Sequence, residues 1–121
     1  MINSVVLVGR LTRDPELRYT PSGAATATFT IAVPRKYKAE GKDREVDFIP
    51  VVTWKAQAEN CAKYTKKGSL VAVEGRLQIR NWEDKEGQRR TTAEVHADSV
   101  QFLDSKGRDT ERMREMGEDD L

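Results

Sequence analysis

The chain has 121 residues, 37% hydrophobic and 34% charged, with a formal net charge of +1. That length holds one domain with a single modest core, and the near-neutral balance excludes the strongly basic composition usual for a nucleic-acid-binding domain. A single cysteine, Cys61, excludes an intrachain disulfide, and with one histidine, His96, it supplies too few ligands for a structural zinc site.

Residues 1–11 contain no long apolar run behind a basic flank, and no segment approaches the ~20 apolar residues that span a bilayer. A soluble, cytoplasmic chain with no membrane partner is expected. "SVVLVGRLT" (4–12) is apolar and β-branched and predicts a strand, in which Gly9 marks a bulge or a close backbone approach. In "RDPELRYTPSGAA" (13–25), Asp14-Pro15 and Pro21-Ser22-Gly23 are turn signals around a short extended piece at 17–20. "ATATFTIAV" (25–33) alternates, with Ala25, Ala27, Phe29, Ile31 and Val33 on one face and threonines on the other. "KAEGKDR" (38–44) is a charged loop. A strand at about 45–54 follows, with Phe48, Pro50, Val52 and Trp54 on one face and Asp47, Ile49, Val51 and Thr53 on the other. Both faces are largely apolar, whereas a half-buried strand normally gives one side to polar residues. Alternation alone does not say what the second apolar, aromatic face serves.

The period changes in "AQAENCAKYTKKG" (56–68). Ala58, Cys61, Ala62 and Thr65 fall at helical spacing, and Lys66-Lys67-Gly68 reads as a helix stop with cations at the negative end of the dipole. "SLVAVEGRLQIRNW" (69–82) returns to alternation, with Val71, Val73, Gly75, Leu77 and Ile79 inward and Glu74, Arg76, Gln78 and Arg80 outward. "EDKEGQRR" (83–90) is a charged loop, and "TTAEVHADSVQFL" (91–103) is a last strand. Residues 104–121 hold four basic and seven acidic residues, a net −3, with almost nothing apolar. A disordered acidic tail is expected there. The first 103 residues hold seventeen basic and thirteen acidic residues, a net +4. Two domains of unequal kind are therefore predicted: a body, 1–103, and a tail, 104–121.

Five strands with a helix between the third and fourth match the all-β, five-stranded Greek-key OB barrel; another small barrel or sandwich is the alternative. Several residues take ordinary structural roles. Tyr19, Phe29, Tyr64 and Phe102 are assigned to core or subunit packing, and Cys61 to the helix's buried face. His96, alternating with Glu94 and Asp98, reads as a surface or interface histidine. Asp14 and Glu16 could hold a metal, but an Asp-Pro turn accounts better for Asp14. No metal site and no cofactor are expected.

"NSVVLVGRLTRDPELRYTPSGAATATFTIAV", "DFIPVVTWKAQAENCAKYTKKGSLVAVEGRLQIRNWED" and "GQRRTTAEVHADSVQFL" together closely resemble the bacterial single-stranded DNA-binding protein family over about residues 1–103. The resemblance implies a homotetramer whose outer barrel face and long loops form a platform for unpaired bases. The family's stacking aromatics fall on Tyr37, Phe48, Trp54 and Trp82. Stacking is worth roughly 1–3 kcal/mol per base, a range that belongs to this class of protein and is carried over from it. Every base has a π-face, so such binding tolerates any sequence. Around the aromatics, Arg35, Lys36, Lys38 and Lys55 supply charge, as do Arg76 and Arg80 on the outward face of their strand and Arg10 on the first strand. Neutralising phosphates releases counterions.

The chain departs from the family at its end. Members carry a long Gly-, Pro- or Gln-rich linker and an acidic run closed by Pro-Phe, which docks replication and repair proteins. Here "GEDDL" offers Asp119, Asp120 and Leu121 as a partial echo, implying at most weak docking. A truncated chain, a short paralogue and a mobile-element version all remain open. The expected function is non-enzymatic, sequence-independent binding of single-stranded DNA in replication, recombination and repair, at the nucleoid. The rivals are an RNA-binding or primosomal OB module, a nuclease using Asp14 and Glu16, and a structural oligomerisation domain.

Overall fold

A computed structural model of the protein describes residues 1–37, 40–41 and 43–103. Lys38 and the whole expected tail, with Asp119, Asp120 and Leu121, lie outside the described residues. The elements follow the changes of period. They are β1 (Val5–Leu11), β2 (Glu16–Tyr19), β3 (Ala25–Pro34), β4 (Val46–Trp54), α1 (Lys55–Tyr64), β5 (Leu70–Glu83) and β6 (Arg89–Phe102).

Alternation sets an inner face for the long strands. Phe29 and Ile31 of β3, Val51 of β4, Val71 and Val73 of β5, and Val95 and Ala97 of β6 close on one core with Leu11 and Cys61. Each fully buried branched side chain contributes roughly 1.5–3 kcal/mol. A second, smaller cluster of Ala25, Ala27 and Ala58 lets the helix lie close on β3, because none of the three has a side chain beyond Cβ. Burial raises the Cys61 thiol to about 11, so it packs as a small neutral group.

The strands are ordered β1-β5-β6-β4-β3-β2, and β1 also pairs with β3 to close the ring. β3 serves two partners along one edge: β2 over 25–28 and β1 at Ile31 and Ala32. β4 and β6 run parallel, Val51 opposite Val95 and Val52 opposite His96. This is the expected five-stranded OB barrel, with β2 added at its edge. At the closing seam a Cβ on Gly9 would stand 2.6 Å from the Ala32 carbonyl oxygen, which makes Gly9 the close backbone approach its sequence context predicts. The short piece at 17–20 proves to be a paired strand, because Leu17 and Tyr19 meet Ala27 and Ala25 of β3.

Two boundaries differ from expectation. The helix ends at Tyr64, not near Gly68. The Thr65 backbone is extended, and both its N–H and its hydroxyl donate to the Cys61 carbonyl, closing the last turn. Lys66 and Lys67 lie past the helix, and Lys63 is the cation of its last turn. β5 and β6 also run further than alternation indicated, pairing as far as Glu83 with Arg89. The charged loop is thus only 84–88, and Asp84 organises it. Its carboxylate accepts the N–H groups of Glu86 and Gln88 and the Arg90 guanidinium. The hairpin outruns the core, leaving Leu77 46% and Ile79 51% exposed on what the sequence marked as an inner face.

Hydrogen bonds hold two carboxylates below their ordinary range. Asp84 is lowered first by the Gln88 N–H, and Asp47 by the guanidinium of Arg35. A carboxylate lowered by folding contributes stability that is complete above its unfolded value and lost as pH falls through its folded value. Thermal stability should therefore decline as pH drops below about 4. Asp84→Asn should be less stable than the wild type at neutral pH and show a shallower acid decline. Melting curves collected between pH 7 and 2 check this, and parallel acid profiles would refute it.

Candidate nucleic-acid interface

Pairing register turns the outward positions of six strands into rows. One row runs Arg18 (β2), Thr26 (β3), Trp54 (β4). The next runs Glu16, Thr28, Val52, then His96 on β6 and Arg76 on β5. A third joins Arg10 of β1 through Ala32 to Phe48. The apolar outward side of β4 is therefore the centre of a surface, with threonines on one flank and charged residues on the other. Phe48 and Trp54 stand six residues apart on β4, about 20 Å along the strand.

All four expected aromatics are accessible. Tyr37 is 79% exposed, Phe48 65%, Trp82 41% and Trp54 36%. Tyr37 sits past the end of β3, with the Lys36 ammonium 5.4 Å from its ring centroid. Trp82 projects from the β5–β6 arm. Its indole N–H donates to the Thr92 hydroxyl at 3.0 Å, and the Arg80 guanidinium lies 5.8 Å from its ring. Trp54 ends β4; Lys55, directly after it, has φ of 58°, so the chain turns from strand to helix within one residue. Phe48, Thr28, Thr30, Pro50, Val52, Arg80 and Glu94 line a cleft of about 680 Å³ together with the 12–16 turn.

The cations are less uniform than the sequence implies. Arg76 and Arg80 do share the outward face of β5, but each faces a carboxylate on β6: Asp98 at 3.8 Å and Glu94 at 3.6 Å. Arg35 is gripped by Asp47 at 3.1 Å and Glu45 at 2.6 Å, which raises its pKa. It ties the ends of β3 and β4 together. Arg10 donates to the Gly68 carbonyl at 2.9 Å. Lys36 and Lys55 are exposed beside their aromatics. The two carboxylates considered for a metal have other duties: Asp14 accepts the Lys67 N–H at 2.8 Å, and Glu16 pairs with Arg18. Tyr19 and Tyr64 are each 60% exposed and so lie outside this chain's core, whereas Phe29 is buried and Phe102 packs on the cluster.

Sequence reasoning missed Arg18 and the β6 row of Glu94, His96 and Asp98. Alternation placed those three on one face, but only the register shows that the face is shared with Trp54.

The Single-strand binding protein family matches residues 2–103. The chain belongs to this family. Three relatives measure the likeness. Single-stranded DNA-binding protein A of Bacillus subtilis (strain 168) is 62% identical over 106 residues, which is 88% of this chain and 62% of that protein. The single-stranded DNA-binding protein of Halalkalibacterium halodurans is 58% identical over 107 residues, 88% of this chain and 64% of that one. Single-stranded DNA-binding protein 2 of Listeria monocytogenes is 55% identical over 111 residues, 92% and 69% of the two chains. The chain thus spans less than two thirds of the length of the first two relatives. Among the described residues, no helix of this family member is long and apolar enough to cross a membrane.

On the outward face of β5 and β6, Arg76 and Arg80 are thus each held by a carboxylate. If Arg76 meets a phosphate, it must exchange Asp98 for it, and both partners are more than half exposed. Arg76→Gln should weaken binding of a thymidine oligomer for any base composition and flatten the salt dependence by about 0.7 in slope. Asp98→Asn should tighten binding at low salt and leave it unchanged at high salt, because an exposed pair is screened. Titrations at several salt concentrations test both, and unaltered slopes would place the phosphates elsewhere.

Proposed function

We propose that this chain binds single-stranded DNA without sequence preference and without enzymatic chemistry. Bases stack on Tyr37, Phe48, Trp54 and Trp82, and the phosphate track crosses Arg10, Lys36, Lys38, Lys55, Arg76 and Arg80. Arg35 contributes least among the cations, since Asp47 and Glu45 already hold its guanidinium. The observation that carries the reading is the outward side of β4. Phe48 is 65% exposed and Trp54 36%, on a strand whose other side closes the core. A soluble domain gains nothing from solvating those rings. Unpaired bases are the partners that both rings and flanking arginines fit. The names of the relatives favour DNA over RNA. The cellular role that follows is protection of unpaired strands in replication, recombination and repair, at the nucleoid in the cytoplasm. The body, 1–103, carries this activity, and Asp119, Asp120 and Leu121 of the tail would offer only weak docking to replication or repair proteins. Competition among thymidine and uridine oligomers and a duplex of equal length tests the reading. The thymidine oligomer should win, and parity with the uridine oligomer would favour the RNA-binding alternative.

Self-association belongs to the same proposal. β1 pairs with β5 along one edge and with β3 on the other only at Arg10 and Leu11, so among the described residues its edge away from β5 has no paired strand over 5–8. Val6 and Val8 are exposed there at 67% and 47%. An open edge beside exposed valines suits pairing with a second copy. Light scattering should give about four times the 13.7 kDa chain mass without DNA. A monomer mass at micromolar concentration would refute the homotetramer.

A further inference from the structure

We infer that His96, clamped by Glu94, is a positioning residue that braces Trp54 for stacking; this rests on the single-strand reading of the platform. Trp54 ends β4, is 36% exposed and belongs to neither core cluster. Its identified aromatic contact is the His96 ring, edge to face, with centroids 4.8 Å apart and planes at 63°. His96 does not stand on the platform as a free side chain. Only 14% of its side chain is accessible, and its Nε2 shares a hydrogen bond of 2.9 Å with the Glu94 carboxylate. Glu94 is itself 8% exposed and reaches Arg80 with its other oxygen, and Arg80 lies beside Trp82.

A nearly buried carboxylate costs free energy unless its partners satisfy it. Placed between two strands that each carry a tryptophan, it fixes an imidazole against one ring and a guanidinium near the other. An indole that is already oriented gives up less side-chain freedom when a base stacks on it. The brace therefore acts on affinity through Trp54, with no contact between His96 and DNA.

The test uses the full chain, with a dye-labelled thymidine oligomer as the binding probe. His96→Ala should weaken binding about 2- to 10-fold, the range an aromatic pair commands. The same change made on top of Trp54→Ala should cost nothing further. In a Trp82→Phe background, His96→Ala should also alter the emission of Trp54 before any DNA is added. His96→Gln, which can still donate to Glu94 but presents no aromatic edge, should fold and give an intermediate affinity. Should His96→Ala fail to fold, His96→Gln and its combination with Trp54→Ala carry the same comparison. Unchanged affinity, or an undiminished loss in the Trp54→Ala background, overturns the brace. Failure of the wild type to bind the oligomer overturns the reading of the platform instead, while the emission of Trp54 in the free protein still decides the contact.

Discussion

Gly75→Ala should be the most destabilising single-methyl change in the barrel. A Cβ built there meets the His96 carbonyl oxygen at 2.2 Å and the Ala97 Cα at 2.8 Å. Both are backbone atoms of the neighbouring strand, so no side-chain rotation can make room. The pairing steps from Glu74 opposite Ser99 to Gly75 opposite Ala97, which leaves Asp98 as the extra residue of a bulge. Opening that contact would pull β6 away from β5 where the register is set. Overpacking costs about 1–3 kcal/mol where side chains can yield, and here the upper end is the expectation. For a domain near 100 residues that lowers the melting temperature by about 12 °C or more. The fraction that remains folded should also bind DNA less well, because the same bulge places Arg76 opposite His96. Calorimetry reads the first effect, and a melting temperature within two or so degrees of wild type would show that the approach is looser than drawn.

Trp54→Ala and Trp82→Ala should each weaken binding of a thymidine oligomer by roughly 1–3 kcal/mol, or about 5- to 150-fold. Neither side chain belongs to the core clusters. Trp82 stands on an arm beyond the barrel, and its loss removes one hydrogen bond to Thr92. Melting temperatures should therefore move little while affinity falls. Anisotropy of a labelled oligomer measures this without relying on the tryptophans removed. Equal affinity in both variants would detach the aromatic platform from the function.

Alternation alone made the faces of β3, β4 and β5 legible, and with them Phe48, Trp54, Arg76 and Arg80. It could not show what stands beside them. Cross-strand neighbours depend on register, and register here turns on the Gly75 bulge. Glu94, His96 and Asp98 could be read as one strand face but not as the flank of Trp54. Arg18 was invisible as a platform residue because its row runs through Thr26 of another strand. Arg35 looked like a free cation because Asp47 lies twelve residues away and meets it only across the β3–β4 pairing. The helix end was overrun because Lys66-Lys67-Gly68 signals a stop equally well in a turn; Ser69 and Lys66 close that turn with their backbones. The length of the β5–β6 arm was hidden in a charged run whose order comes from one carboxylate, Asp84.

The central claim is that the outward side of β4 and the β5–β6 arm receive unpaired bases. Tryptophan emission of the unmodified protein, titrated with a long thymidine oligomer at low salt, addresses it directly, because Trp54 and Trp82 are the chain's two tryptophans. Stacking on both rings predicts strong quenching that saturates with binding. Saturated binding, established separately by anisotropy, with both emissions unchanged would contradict it.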